Sequence, residues 1–111
     1  MPTAHRLKQE KDFASLSRSR KNAYAKVLGM KVRENHLPHS RFGIVVGLKV
    51  HKRAVQRNLL RRRISEILRL MLPQIKPGYD VMILVQAKAV GAEYAELEAQ
   101  VTSCLKKLGL L

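Results

Sequence analysis

The chain is poor in the residues that usually carry chemistry: one cysteine, no tryptophan, two phenylalanines, three tyrosines and eight acidic side chains among 111 residues. A lone Cys104 cannot close an internal disulfide, which points to a reducing cytoplasm, and its position predicts a small buried hydrophobe on the last helix. No apolar run is long enough to span a bilayer, and the opening Met1 to Lys8 has no apolar stretch of the secretory type. The first points away from a membrane-spanning helix and the second away from export.

The few acids are accounted for singly. Glu93, Glu96 and Glu98 suit the start of the final helix, Glu66 an i to i+3 pair with Arg63, and Asp80 the turn before a strand. Glu10, Asp12 and Glu34 are scattered among cations, so no carboxylate pair for metal or general acid–base work emerges. His36 and His39 lie on either side of Pro38, and adding His51 supplies no cysteine or carboxylate, so no zinc site is expected. Cys104 faces the core rather than a histidine partner. Gly43 and Gly47 lack the spacing and the following Lys-Ser/Thr of a phosphate-binding loop. Binding, not side-chain catalysis, is what remains.

What the chain has in excess is positive charge. Its 22 Lys and Arg give a formal net charge of +14. Residues 1 to 69 hold 18 of those cations and four of the acids, so the whole excess lies there. Within it, residues 52 to 63 read Lys-Arg-Ala-Val-Gln-Arg-Asn-Leu-Leu-Arg-Arg-Arg, with six cations in twelve positions. At about 100° per residue, Leu60, Ile64, Ile67 and Met71 form one stripe, while Asn58, Arg61, Arg62, Ser65 and Arg69 fill a sector away from it. A solvated helix alternates signs, and a nearly pure cationic face repels itself unless a polyanion neutralises it. Arginine's planar fork suits phosphate, and nucleic acid is the natural polyanion. An anionic membrane fits less well, because the helix has no aromatic wedge and its apolar side is needed by the core.

The length predicts one domain, residues 1 to 111. Periodicity predicts a short helix near Lys8 to Ser17, a strand-like stretch from Asn22 to Arg33 broken by Gly29, and a turn over residues 34 to 40. A strand from Arg41 to Leu48 covered on both faces follows, then the basic helix to about Leu72, where Pro73 stops it. A Lys-Pro-Gly turn leads to an interior strand from Tyr79 to Val85. A helix from about Ala92 to Leu108 comes last, with Tyr94, Leu97, Val101, Leu105 and Leu108 toward the sheet and Gly109 as its cap. The order α-β-β-α-β-α is an α/β (α+β) two-layer sandwich with a small sheet.

Arg41-Phe42-Gly43-Ile44-Val45-Val46, then Lys49-Val50-His51-Lys52-Arg53-Ala54-Val55-Gln56-Arg57-Asn58 and Arg61-Arg62, resemble the protein component of bacterial ribonuclease P over most of the length. Leu7-Lys8, Lys11-Asp12-Phe13 and Pro77-Gly78-Tyr79-Asp80 support the resemblance. It departs from the family where Leu59 replaces an expected arginine, Ser65 a common basic residue and Ser17 a second aromatic. The resemblance implies a left-handed βαβ crossover, against the usual right-handed one. It also implies an accessory subunit of an endoribonuclease whose catalytic component is RNA, assisting removal of the 5′ leader of precursor tRNA. Lys52, Arg53, Arg57, Asn58, Arg61 and Arg62 would then face the catalytic RNA. Phe13, with Tyr24 and Lys26, would meet the single-stranded leader, although Phe13 reads equally as a core anchor. No cofactor is expected on the protein, Mg2+ is expected at the RNA, and a cytoplasmic monomer in a 1:1 ribonucleoprotein is implied. The alternative is a ribosomal or assembly-type RNA-binding protein. A DNA-binding regulator would need a helix-turn-helix, and a stand-alone nuclease would need paired carboxylates.

Overall fold

A computed structural model of the chain describes residues 5–7 and 10–111, with side chains for all of these except residues 10–12. The elements are α1 (Glu10–Ser17), β1 (Asn22–Tyr24), β2 (Leu28–Glu34), β3 (Arg41–Val45), α2 (Ala54–Met71), β4 (Tyr79–Val85) and α3 (Tyr94–Lys107). Of the helix expected from Lys8, Lys8 itself lies outside the described residues.

β4 is the centre of a four-stranded sheet ordered β1-β2-β4-β3. It pairs antiparallel with β2 and parallel with β3, and α2 makes the connection between β3 and β4, a βαβ unit. Because β4 has a strand on either side and helices on both faces, its near-continuous Tyr-Asp-Val-Met-Ile-Leu-Val run is buried. Leu28, Met30, Val32, Phe42, Val81 and Ile83 meet α2 and α3 on one face. On the other face, Met82 packs with Leu7 and Leu16, with Phe13 and Leu84 at the margin.

Two expectations about strands are corrected. Asn22 to Arg33 is not one interrupted strand but a tight antiparallel hairpin, with Ala25 N donating to Leu28 O at 2.9 Å, so the order is α-β-β-β-α-β-α. Gly29 lies inside β2 opposite Tyr24, and a Cβ there would collide with the Tyr24 ring. The strand from Arg41 ends at Val45 rather than Leu48. Phe42 and Gly43 are covered on their respective faces, but Val45 is exposed beyond the reach of α1.

The helix ends follow local chemistry. Pro73 lies in a single 3-10 turn, Leu72–Gln74, that terminates α2. At the end of α3, Gly109 takes φ 77°, its N–H donates to Lys106 O at 3.0 Å and the Leu110 N–H to Leu105 O at 2.9 Å. That pair of bonds is the glycine-capped helix end in which the following leucine folds back to the core. Cys104 is buried on α3, where burial pushes its thiol pKa up. Tyr94, by contrast, stays 39% exposed at the helix start, where the apolar stripe runs out of the core.

Asp80 is not a turn residue: it is a fully buried member of β4, directly opposite Arg33 of β2 and Arg41 of β3. Its carboxylate accepts a two-pronged contact from Arg41 (Nε 2.8 Å, Nη2 2.7 Å), one bond from Arg33 Nη2 at 3.2 Å and one from Asn35 Nδ2 at 2.9 Å. Arg33 also donates to Ser15 Oγ of α1. Burial alone would raise the Asp80 pKa, but the hydrogen bonds from Arg41 and Asn35, with the Arg41 charge, outweigh it and hold the pKa below its ordinary 3.8.

Asp80→Ala is expected to cost about 2–3 kcal/mol in urea unfolding at neutral pH, less than a wholly buried pair because both arginines keep some contact with water. The lowered pKa sets the sign of the acid response: the stabilisation is complete above 3.8 and declines as the pH falls from there toward the folded value. Unchanged stability in the variant, or an acid limb identical to wild type, would count against this role.

Candidate nucleic-acid interface

α2 is anchored by Leu60, Ile64, Ile67 and Leu68, all buried, with Met71 half-buried against the same core. The stripe predicted from spacing is therefore the packed one, widened by Leu68. Its opposite side carries Asn58 and Arg62, both exposed, with Arg61 and Ser65 half-buried on the flank. Lys52 and Arg53 are exposed on the segment leading into the helix. Arg53 occupies the N-cap without a side-chain cap, and its N–H donates to His51 Nδ1 at 3.0 Å.

The arginines that make hydrogen bonds at the helix start use neutral acceptors. Arg57 Nη1 donates to the carbonyls of His51 at 2.9 Å and Lys52 at 2.7 Å, closing the loop onto the helix. Arg61 donates through Nη1 to Asn58 Oδ1 at 2.7 Å and through Nη2 to Val46 O at 3.1 Å, tying α2 to the chain just beyond β3. Among the described residues, Lys52, Arg53, Arg62 and Arg63 have no side-chain hydrogen bond or ion pair. A guanidinium on a carbonyl is oriented without being neutralised, and its remaining N–H groups stay available.

Glu66 does not pair with Arg63 as the spacing suggested. It pairs with Arg69, one turn further on, at 3.0 Å from Nε and 2.5 Å from Nη2. Helical side chains lean toward the N-terminus, so a cation on the C-terminal side reaches back to the acid more readily. The Arg69 hydrogen bond holds the Glu66 pKa low, and Arg69 is removed from the free cationic set.

Phe13 and this helix share one groove. An open cavity of about 650 Å³ at the outer edge of β3 is bordered by Arg6, Phe13, Ile44, Arg61, Arg62 and Ser65. The Phe13 ring lies on Gly43, where a Cβ would collide with it. The ring is anchored beside Leu7, Leu16 and Met82, and it also forms one wall of the groove.

Tyr24 and Lys26 are placed elsewhere. Tyr24, 50% exposed, lies over Gly29 on the same sheet face as Phe13 but at the β1 edge, three strand spacings or about 14 Å from β3. With exposed Lys26, and with Gln86 and Lys88, it borders a second hollow of about 480 Å³. Lys31 and Met82 pave the sheet between the two edges, Lys31 Nζ donating to Ser17 O at 2.7 Å. The fold therefore unites Phe13 with Arg61 and Arg62 and sets Tyr24 with Lys26 apart. Sequence reasoning missed the Val46 carbonyl and Arg6; neither carries a local signal.

The histidines are dispersed. His39 meets His5 edge-on at 5.5 Å, His36 sits in the β2–β3 loop at φ 58°, and His51 lies at the start of α2. Among the described residues, no three His, Cys, Asp or Glu side chains cluster as metal ligands, and no helix is long and apolar enough to cross a membrane.

Comparison with known proteins bears on this surface. The family model for ribonuclease P matches residues 1–109. The ribonuclease P protein component of Synechocystis sp. is 32% identical over all of this chain and 90% of its own length. That of Synechococcus sp. (strain JA-2-3B'a(2-13)) is 37% identical over all of this chain and 86% of its own. Among solved structures, the Staphylococcus aureus RNase P protein superposes with a TM-score of 0.88 at 22% identity, covering 97% of this chain and 98% of that one. The Thermotoga maritima RNase P protein gives 0.83 at 26%, covering 92% and 96%.

Arg62→Ala, at an exposed position, is expected to leave thermal stability within about 0.5 kcal/mol. Arg61→Ala, which loses the tie to Val46, is expected to cost about 1 kcal/mol. In RNA titrations, the double variant should flatten the log–log salt dependence by about one to two units. A slope equal to wild type would remove this helix face from the interface.

Proposed function

The chain belongs to the ribonuclease P protein family, and from that premise we propose that it binds the catalytic RNA of ribonuclease P through the start of α2 and the 5′ leader of precursor tRNA across the sheet. It is thus the accessory subunit of an endonuclease whose active site is RNA. The observation that carries this reading is the state of the arginines: Arg57 and Arg61 are positioned by neutral oxygens and Arg62 projects unbonded among the described residues, so their charge awaits an external anion. Lys52, Arg53 and Asn58 complete the set. Phe13 on Gly43 and Tyr24 on Gly29 each offer a ring with glycine beneath it, and Lys26 adds a cation beside the second. Such platforms bind single strands with little sequence preference, as a processor of many leaders needs.

The chain's residues bind, orient and screen. Magnesium-dependent hydrolysis belongs to the RNA, and cationic side chains between leader and catalytic RNA reduce the repulsion that metal ions would otherwise have to screen. A 1:1 particle with one protein monomer in the cytoplasm completes the proposal.

Reconstitution with the cognate RNA tests it. At a magnesium concentration too low for the RNA alone, adding the protein is expected to restore 5′ leader cleavage, and Tyr24→Ala is expected to weaken precursor binding about tenfold while sparing mature tRNA. No gain on adding the protein, or leader cleavage by the polypeptide free of RNA, would overturn the assignment.

A further inference from the structure

The cationic face of α2 contains one residue that neither charge nor the core explains. Val55, in the first turn, is 71% exposed. At about 100° per residue it lies nearly opposite the buried Leu60, Ile64 and Ile67, so packing makes no use of it. With Asn58, Arg61 and Arg62, one and two turns along, it borders a shallow hollow of about 480 Å³. Leu59, half-buried, stands one turn further along the same side. A β-branched aliphatic is a poor choice for a solvated helix turn: it lowers helix propensity and gains no burial in the free protein.

We infer that Val55 is a contact point for an unstacked nucleobase of the partner RNA, seated in the hollow while Asn58, Arg61 and Arg62 hold the flanking phosphates. The inference rests on the RNA-binding role proposed above and assigns it a residue that electrostatics does not supply. Charge selects the occupant. An apolar protein surface laid on Val55 would bury Arg61 and Arg62 without anions, and a lipid surface would need a wider apolar strip than one or two side chains. An exposed base offers an apolar face at its centre and phosphates at either side, matching a valine ringed by guanidiniums. A paired duplex presents only the phosphates, because its base faces are stacked.

The two contributions separate by salt dependence: phosphate contacts weaken as salt rises, whereas an apolar contact to a base does not. Wild type, Val55→Ala, Val55→Lys and Arg62→Ala would be titrated against the cognate ribonuclease P RNA transcript and against a poly(A)·poly(U) duplex over a range of KCl concentrations, with circular dichroism as the check on folding. Val55→Ala is expected to weaken binding to the transcript about fivefold at every salt concentration, with an unchanged slope and unchanged duplex affinity. Val55→Lys should weaken binding to the transcript despite its added charge while tightening on the duplex. Arg62→Ala should change the slope on both. Val55→Ala binding like wild type, Val55→Lys tightening on the transcript, or equal losses on transcript and duplex would overturn the inference. A wild-type protein with no salt-dependent affinity for the transcript would instead overturn the function on which it rests.

Discussion

The fold turns on one buried carboxylate. Asp80 sits in the middle strand with Arg33 and Arg41 directly across on either side, so a single anion pins three strands in one register. A slip of one residue would turn each of these side chains to the other face and leave the charges unpaired. With β3 held beside β4 in this register, the βαβ connection fixes where α2 leaves the sheet. That exit places the guanidiniums of Arg61 and Arg62 over the outer edge of β3, opposite Phe13.

Scarcity of acid explains the rest of the charge distribution. Eight carboxylates face 22 cations. Asp80 engages two arginines of the sheet, Glu66 engages Arg69, and three glutamates lie at or near the start of α3, outside the stretch of residues 1 to 69 that holds the basic excess. No described carboxylate pairs with the arginines at the start of α2. What orders them instead is a set of carbonyls and an amide, which fixes direction while preserving charge. A surface built this way is preorganised for phosphate and meets little internal competition for it.

Two glycines prepare the opposite side of the sheet. Gly43 and Gly29 each give up a side chain so that an aromatic ring can lie against the strand, Phe13 at one edge and Tyr24 at the other. Both would read in a sequence as weak points of a strand, and Gly29 did read as a break. Its meaning depends on Tyr24, five residues earlier and brought opposite only by the hairpin. The ring and the glycine form one device, and its parts are intelligible only together.

Local pattern by itself determined the apolar stripe of α2, the interior strand Tyr79–Val85 and the glycine cap after α3. Motif residues alone were enough to indicate the family, because Lys-Arg-Ala-Val-Gln-Arg-Asn at the start of a basic helix is a local pattern. Only the tertiary structure decided that Asp80 is a buried hub rather than a turn residue, that Glu66 serves Arg69, and that Phe13 shares a groove with Arg61 while Tyr24 stands at the far edge. These depend on which strands become neighbours and on which way a side chain leans. Hydrogen bonds between residues 15 or more positions apart, such as Arg61 to Val46 or Arg41 to Asp80, leave no periodic trace in the chain that makes them.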